Sequence, residues 1–361
     1  MKKLIHKAPN WLYEAASCIA KEYKNDENSI IENHNSFGLT MDEITEKLAK
    51  YTAYYNVVTA EIKPIYKRYL YLEKFFKEPN FSEEINNPIA LSLVIYFGDY
   101  LTPTLSYEKI DEIVKEYISN IIIELSTDIE EKKVSFNSLE DILNSLDKST
   151  LEDAYKLQLV NLYHNRYEII TKLSELLHLC SQICEKHFPL ISEDFNKSVE
   201  FLYETSDLKP LLYDLSGGKL NIPLGGEIYS SIIGFNQLSM IEVENSFRFY
   251  IGIYFFDYMK LKYQNRFNDT QIVSDLKALG DPTRLKIIHL LSTKKMYIQE
   301  LSDVLELTPA TVSHHINILL KSELISITVE VEKAKKVYYE ANFEKIKGLG
   351  ETIKSLVPVN S

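Results

Sequence analysis

Apolar residues recur along most of this chain at three- and four-residue intervals, the spacing of helices that bury one face. Trp11, Ala15, Cys18 and Ile19 share one such face, and Ile44, Leu48, Tyr51 and Tyr55 share another. The same period predicts helices over 56–77, 87–101, 106–125, 150–164, 166–187 and 190–204. Thr40, Ser138 and Ser149 are placed as N-caps, and Pro79, Pro88, Pro103 and Pro189 punctuate the series. The charged run Asp128 to Lys133 reads as a solvated face or loop. The pattern changes near Lys209. Ile228 to Ile233 and Phe247 to Ile251 are β-branched and aromatic, and the second run alternates, so short strands and a small sheet closing the helical region are expected. The polar stretch Lys262 to Gln271 reads as a linker or as the run-in to the next helix.

From Ile272 the elements are shorter and their ends are better marked. Ile272, Val273, Leu276 and Leu279 predict a short helix stopped at Gly280, a natural C′ residue. Asp281-Pro282 restarts the chain as an acidic N-cap with proline at N1, and Leu285, Ile287, Ile288, Leu290 and Leu291 follow. Ile298, Leu301, Val304 and Leu305 mark the next helix, Glu306-Leu307 the tight turn, and Thr308-Pro309 repeats the cap-and-proline device. On the helix opened by Thr308, Val312, Ile316, Leu319 and Leu320 fall in one arc. Ala310, Thr311, His314, Asn317, Ile318 and Lys321 fall in the opposite arc, with Ser313 and His315 on the flanks. Ile325, Ile327, Val329 and Val331 alternate with polar residues as a half-buried strand. Lys333-Ala334-Lys335-Lys336 turns the chain, and Val337 to Ala341 returns as a second strand. Phe343, Ile346, Leu349, Ile353 and Leu356 give a closing amphipathic helix whose stripe suits a dimer surface as well as a core.

The expected fold is mainly α: a large helical N-terminal domain with a small β region, followed by a C-terminal winged helix-turn-helix domain. The expected boundaries are a helical effector or partner domain at 1–205, a β-containing segment packed on it at 206–262, and the winged helix at 272–356. Two helices joined by a tight turn, the second with a polar outward face and followed by a hairpin, are the parts that place a helix in the major groove of DNA. Thr308, Thr311, Ser313, His314 and Asn317 offer short donors and acceptors for base edges and phosphates, and Ala310 is placed with them as a DNA-facing residue. Lys321, Lys333, Lys335 and Lys336 suit phosphates.

Charge sharpens this division. The chain of 361 residues carries a net charge of −12, which alone would count against nucleic acid. Residues 272–361 hold 12 Lys+Arg and 11 Asp+Glu, so the net acidity lies entirely in the preceding residues and any DNA affinity must come from a local patch. Three cysteines argue against a disulfide framework and for a reducing, cytoplasmic location. The apolar runs Ile89 to Phe97 and Phe249 to Phe256 are too short for a membrane span, and no signal peptide is expected. The glycine pairs Gly217-Gly218 and Gly225-Gly226 build neither a GxGxxG nor a P-loop, and HExxH, GxSxG and CxxC are absent from the sequence. No enzyme activity and no cofactor are therefore expected.

The segments Leu276-Lys277-Ala278-Leu279-Gly280-Asp281-Pro282-Thr283-Arg284 and Thr311-Val312-Ser313-His314-His315 resemble the ArsR family of winged-helix transcriptional repressors, over roughly residues 272–345. The resemblance implies a homodimer on a pseudo-palindromic operator, paired through the first and last helices of this unit. It implies that Ala310, Thr311, Ser313, His314 and Asn317 approach the major groove and that Lys335 and Lys336 approach phosphates. The family's metal-sensing positions are empty here: Lys295 to Leu301 has no thiol, and Phe343 to Leu356 has neither His nor Asp. The wing also lacks its common turn glycine. Elsewhere, Cys180, Cys184 and His187 fall at i, i+4 and i+7 with His178 nearby, a spacing that can hold Zn or Cu(I). Among Leu176, Leu177, Ile183 and Phe188, the same cysteines read more simply as small core residues, so no metal is expected.

The function that follows is a sequence-specific DNA-binding regulator, of the repressor type, controlled through its N-terminal domain by a non-metal ligand or partner. Its partners are double-stranded operator DNA, a second copy and an unknown effector, with no membrane. The alternatives are an enzyme in the helical domain with an accessory winged helix, or a winged helix used for protein contacts.

Overall fold

The computed structural model describes residues 3–23, 37–77, 87–125, 136, 138–147, 149, 151–215, 226–243, 246–265, 269–329 and 337–355. In chain order the elements begin with β1 (Lys3–Ile5), α1 (Trp11–Lys21), α2 (Met41–Lys47), α3 (Ala49–Tyr66), α4 (Ile89–Phe97), α5 (Tyr107–Leu125) and α6 (Leu139–Asp147). They continue with α7 (Asp153–His164), α8 (Arg166–His187), α9 (Ser192–Glu204), α10 (Leu208–Leu215), β2 (Gly226–Ser231), β3 (Leu238–Val243) and β4 (Ser246–Gly252). The chain then runs through α11 (Phe255–Gln264), α12 (Asp269–Leu279), α13 (Pro282–Thr293), α14 (Ile298–Leu305), α15 (Pro309–Lys321), β5 (Ile325–Val329), β6 (Val337–Ala341) and α16 (Phe343–Ser355). The fold is mainly α, with a winged helix-turn-helix at its C-terminal end.

Two compact units divide it, and they interleave in sequence. One comprises Met1–Asp26, Leu48–Tyr203 and Gly225–Ile253; the other comprises Glu27–Lys47, Glu204–Leu224 and Tyr254–Ser361. In the first unit α1 packs on α8, α4 and α3, and its inward residues Ala15, Cys18 and Ile19 are buried. The sheet has the order β1-β2-β4-β3, with β1, β2 and β4 parallel and β3 antiparallel to β4. Glu14 is wholly buried on α1 and accepts the backbone N–H groups of Ile232 (3.0 Å) and Ile233 (2.7 Å), which follow β2. A buried N–H without an acceptor is costly, so this carboxylate satisfies the turn; burial in return pushes its pKa up to about 7.

Several local expectations are corrected. Ser149 does not cap a helix: its hydroxyl donates to the Leu146 carbonyl, and α7 starts at Asp153 behind Glu152. The segment after Lys209 opens with a helix, α10, rather than a strand. β1 was not foreseen, because three residues are too few to show a period. Lys262 to Gln264 belong to α11 and Asp269 to Gln271 already belong to α12, so of the two readings of this stretch the run-in to the next helix fits better than a linker. Thr40 and Ser138 do act as caps, accepting from the N–H of Glu43 and Asp141.

The core of the winged helix gathers Ile272, Ala278, Ile287, Leu291, Leu301, Val312, Ile316, Leu319, Ile325, Tyr339 and Leu349, drawn from every one of its elements. Burial of this set supplies most of the drive for folding, at about 1.5–3 kcal/mol for each large side chain.

Candidate nucleic-acid interface

The α12–α13 corner sets the frame. Asp281 caps α13, its Oδ1 accepting the N–H groups of Thr283 and Arg284 at 2.9 Å each. The Arg284 guanidinium reaches back to the carbonyls of Ala278 and Lys277 (3.0 Å for the latter), which the end of α12 leaves without intrahelical partners. Both side chains satisfy open backbone groups at the ends of α12 and α13, so the Gly280-Asp281-Pro282-Thr283-Arg284 segment holds the two helices at their junction. The Arg284 N–H, the nearby Arg284 charge and the Thr283 N–H together hold Asp281 below its usual carboxylate range, against partial desolvation.

The helix-turn-helix follows. Glu300 on α14 accepts the N–H of Tyr297 at 3.1 Å, and Glu306 closes that helix in the left-handed region at φ 56°. Thr308 caps α15 by accepting the Thr311 N–H at 3.2 Å, and the two threonine hydroxyls lie 2.8 Å apart. Val312, Ile316 and Leu319 are fully buried, which fixes the rotation of α15 about its axis. That rotation leaves Thr308, Ala310, Thr311, His314, Asn317 and Lys321 exposed and Ser313 half-buried on the flank. Leu320 and Ile318 are only partly buried and pack on the edge of the core. His315 turns inward, with Nδ1 3.8 Å from Asp281 Oδ1, so this histidine faces the α13 cap.

The wing pairs β5 with β6 in antiparallel register from Ile325↔Ala341 to Val329↔Val337. The Lys333, Lys335 and Lys336 tip lies outside the described residues. One feature of the wing was missed in the sequence. Met296, before α14, exchanges two backbone hydrogen bonds with Tyr339 (3.1 and 2.8 Å), which ties the wing to the start of the helix-turn-helix. A lone bridge has no sequence period to announce it.

A second missed feature is a buried ion pair. Asp275 on α12 and Lys345 on α16 are 0% and 3% exposed, with Lys345 Nζ 2.8 Å from Asp275 Oδ2 and Gln271 donating to Oδ1 at 2.8 Å. Burial holds the Asp275 pKa above its ordinary value although Lys345 and Gln271 oppose this. The signal was present: Asp275 shares the arc of Ile272, Ala278 and Leu279.

The Cys180, Cys184 and His187 set lies on α8 in the first unit. Both cysteines are fully buried, and burial pushes the Cys180 thiol up to about 12 and the Cys184 thiol well above its usual range. His187 Nε2 instead lies 2.9 Å from Glu61 Oε1, and His178 Nδ1 lies 2.9 Å from the Ser174 carbonyl. Among the described residues no group of three His, Cys, Asp or Glu side chains is arranged to hold a metal ion. No helix among them is long and apolar enough to cross a membrane.

Residues 281–326 match the family model described as bacterial regulatory protein, arsR family. The chain is 36% identical over 66 residues to the transcriptional repressor SdpR of Bacillus subtilis (strain 168), covering 18% of this chain and 70% of that repressor. It is 34% identical over 85 residues to a cadmium resistance transcriptional regulatory protein CadC homolog of Staphylococcus aureus, covering 23% of this chain and 68% of that protein. It is also 35% identical over 74 residues to the arsenical resistance operon repressor of Bacillus subtilis (strain 168), covering 20% of this chain and 68% of the repressor. No solved structure matches the chain.

Proposed function

Because this chain belongs to the ArsR family of bacterial regulatory proteins, we propose that it is a sequence-specific DNA-binding transcriptional repressor that reads its operator with α15. The observation that carries this reading is the two-sided character of α15. Val312, Ile316 and Leu319 lock one face into the core, and Ala310, Thr311, His314, Asn317 and Lys321 stand exposed on the other. Threonine, histidine and asparagine present hydrogen-bonding groups of the length that base edges in the major groove require, and Lys321 suits a phosphate. Ser313 supports them from the flank, while Lys333, Lys335 and Lys336 are proposed to meet phosphates from the wing.

The repressor acts as a homodimer. Val273 and Leu276 on α12 and Phe343 and Ile353 on α16 are large apolar side chains left 37–62% exposed, as a self-pairing surface requires. Control is proposed to enter through the first unit, by a ligand or partner other than a metal; Cys180 and Cys184 there are fully buried in the core and His187 is engaged with Glu61. The relatives are transcriptional regulators over the C-terminal unit, and regulation rather than catalysis is the proposed activity. A mobility-shift titration of the full chain against the DNA upstream of its own gene tests the reading. A retarded band that survives excess unrelated duplex is expected, and equal competition by any duplex would overturn it.

A further inference from the structure

The recognition helix ends in an unusual way. Ser322 caps α15, the Glu323 N–H donates to the Leu320 carbonyl (2.9 Å), and the Leu324 N–H donates to the Leu319 carbonyl (3.0 Å). This is a Schellman ending, whose C′ residue is left-handed and favours glycine. Here C′ is Glu323, at φ 60°. A glutamate there costs local backbone energy that glycine would avoid.

The side chain accounts for the choice. Glu323 Oε1 lies 2.8 Å from Lys262 Nζ on α11, the helix by which the chain passes from β4 to the winged helix. The same residue's carbonyl accepts the Asn342 side-chain amide at 3.0 Å, and Asn342 in turn caps α16 by accepting the Lys345 N–H at 3.1 Å. Lys345 then pairs with Asp275 on α12. One residue at the exit of the recognition helix thus joins α11, α16 and, through Lys345, α12. A small recess of about 20 Å³ lined by Lys262, Tyr263, Glu323, Asn342 and Lys345 lies at this junction.

We propose that Glu323 is a positioning residue for DNA recognition, and that the Lys262–Glu323 pair is the tie by which α11 sets the pose of α15. This rests on the reading of α15 as the recognition helix. A shift or rotation of α11 moves Lys262, and the tie passes that displacement to the last turn of α15, while the buried core face resists it. Glu323 touches no base in this scheme. It acts through the helix it terminates.

The test uses the full chain with Lys262→Glu, Glu323→Lys and the double exchange, which restores the pair with its sense reversed. The readout is the ratio of operator affinity to affinity for unrelated duplex, because a change of net charge alters both affinities together and leaves the ratio unmoved. Each single exchange is expected to lower the ratio about fivefold, the most a partly exposed ion pair supports, and the double to restore it. Single variants with the parent's ratio, or a double no better than the singles, would overturn the proposal. Should the parent show no operator preference, the DNA reading fails by itself and amide exchange decides the tie. Lys262→Met is then expected to speed exchange of the Ser322 and Leu324 amides about fivefold with the α13 amides unchanged. No change at Ser322 and Leu324 would count against it.

Discussion

Replacing Lys345 by methionine keeps the length and apolar stem of the side chain and deletes its charge. Among the described residues Asp275 is left with Gln271 as its side-chain hydrogen-bond partner, in a position that is 0% exposed. Breaking a buried pair by removing one member costs about 3–5 kcal/mol, because the surviving charge is neither hydrated nor neutralised. The pH dependence separates this from a packing defect. In the parent, burial already raises the Asp275 pKa, and removing Lys345 raises it further. The native state then holds a proton that the unfolded state releases, so stability falls as pH rises from the ordinary aspartate range toward the folded pKa. The deficit of Lys345→Met should therefore be smaller near pH 4 than at pH 7.5. Amide exchange of the fully buried Ile287 in α13 reports opening of the winged-helix core, and at pH 7.5 it should quicken by about two orders of magnitude or more. A double variant, Asp275→Leu with Lys345→Met, should recover most of the loss, since an apolar pair of similar volume is often neutral or stabilising. A change under about tenfold, or a deficit independent of pH, would refute the account of the pair.

Two other substitutions test the physical reasoning. Glu14 is neutral in the folded state at low pH and ordinary once unfolded, so the helical unit should lose about 3 kcal/mol of stability as pH rises from 4.5 through about 7. Glu14→Gln should flatten that dependence in urea titrations across this range, and parallel curves for the two proteins would contradict it. Thr308→Ala removes the α15 cap and should cost about 1 kcal/mol, read as faster amide exchange at Thr311. Serine in its place should cost little.

The winged helix was legible because its elements carry local signals: caps at Asp281 and Thr308, proline after each, a stop at Gly280, and an alternating strand after Leu324. These depend on neighbouring residues alone, and the periods on either side agree with them. The features that escaped depend on distant partners. Asp275 and Lys345 lie 70 positions apart, and a charged residue is assigned to solvent unless its partner is known. Met296 joins a strand through one bridge. In the helical unit the faces of α1 and α8 were readable, yet which helices they meet was not, and β1 needs β2 more than two hundred residues away to be a strand at all. Glu323 was invisible for a related reason: nothing in Ser322-Glu323-Leu324 announces a left-handed residue.

The central claim is that the exposed face of α15 reads DNA sequence. The decisive measurement is the operator affinity of Thr311→Ala combined with His314→Ala in the full chain, set beside affinity for unrelated duplex across a salt series. Loss of base contacts should cost about 1–3 kcal/mol of discrimination for each good contact. The account predicts that operator preference collapses while weak, salt-dependent binding to any duplex remains. Unchanged operator preference in this variant would contradict it.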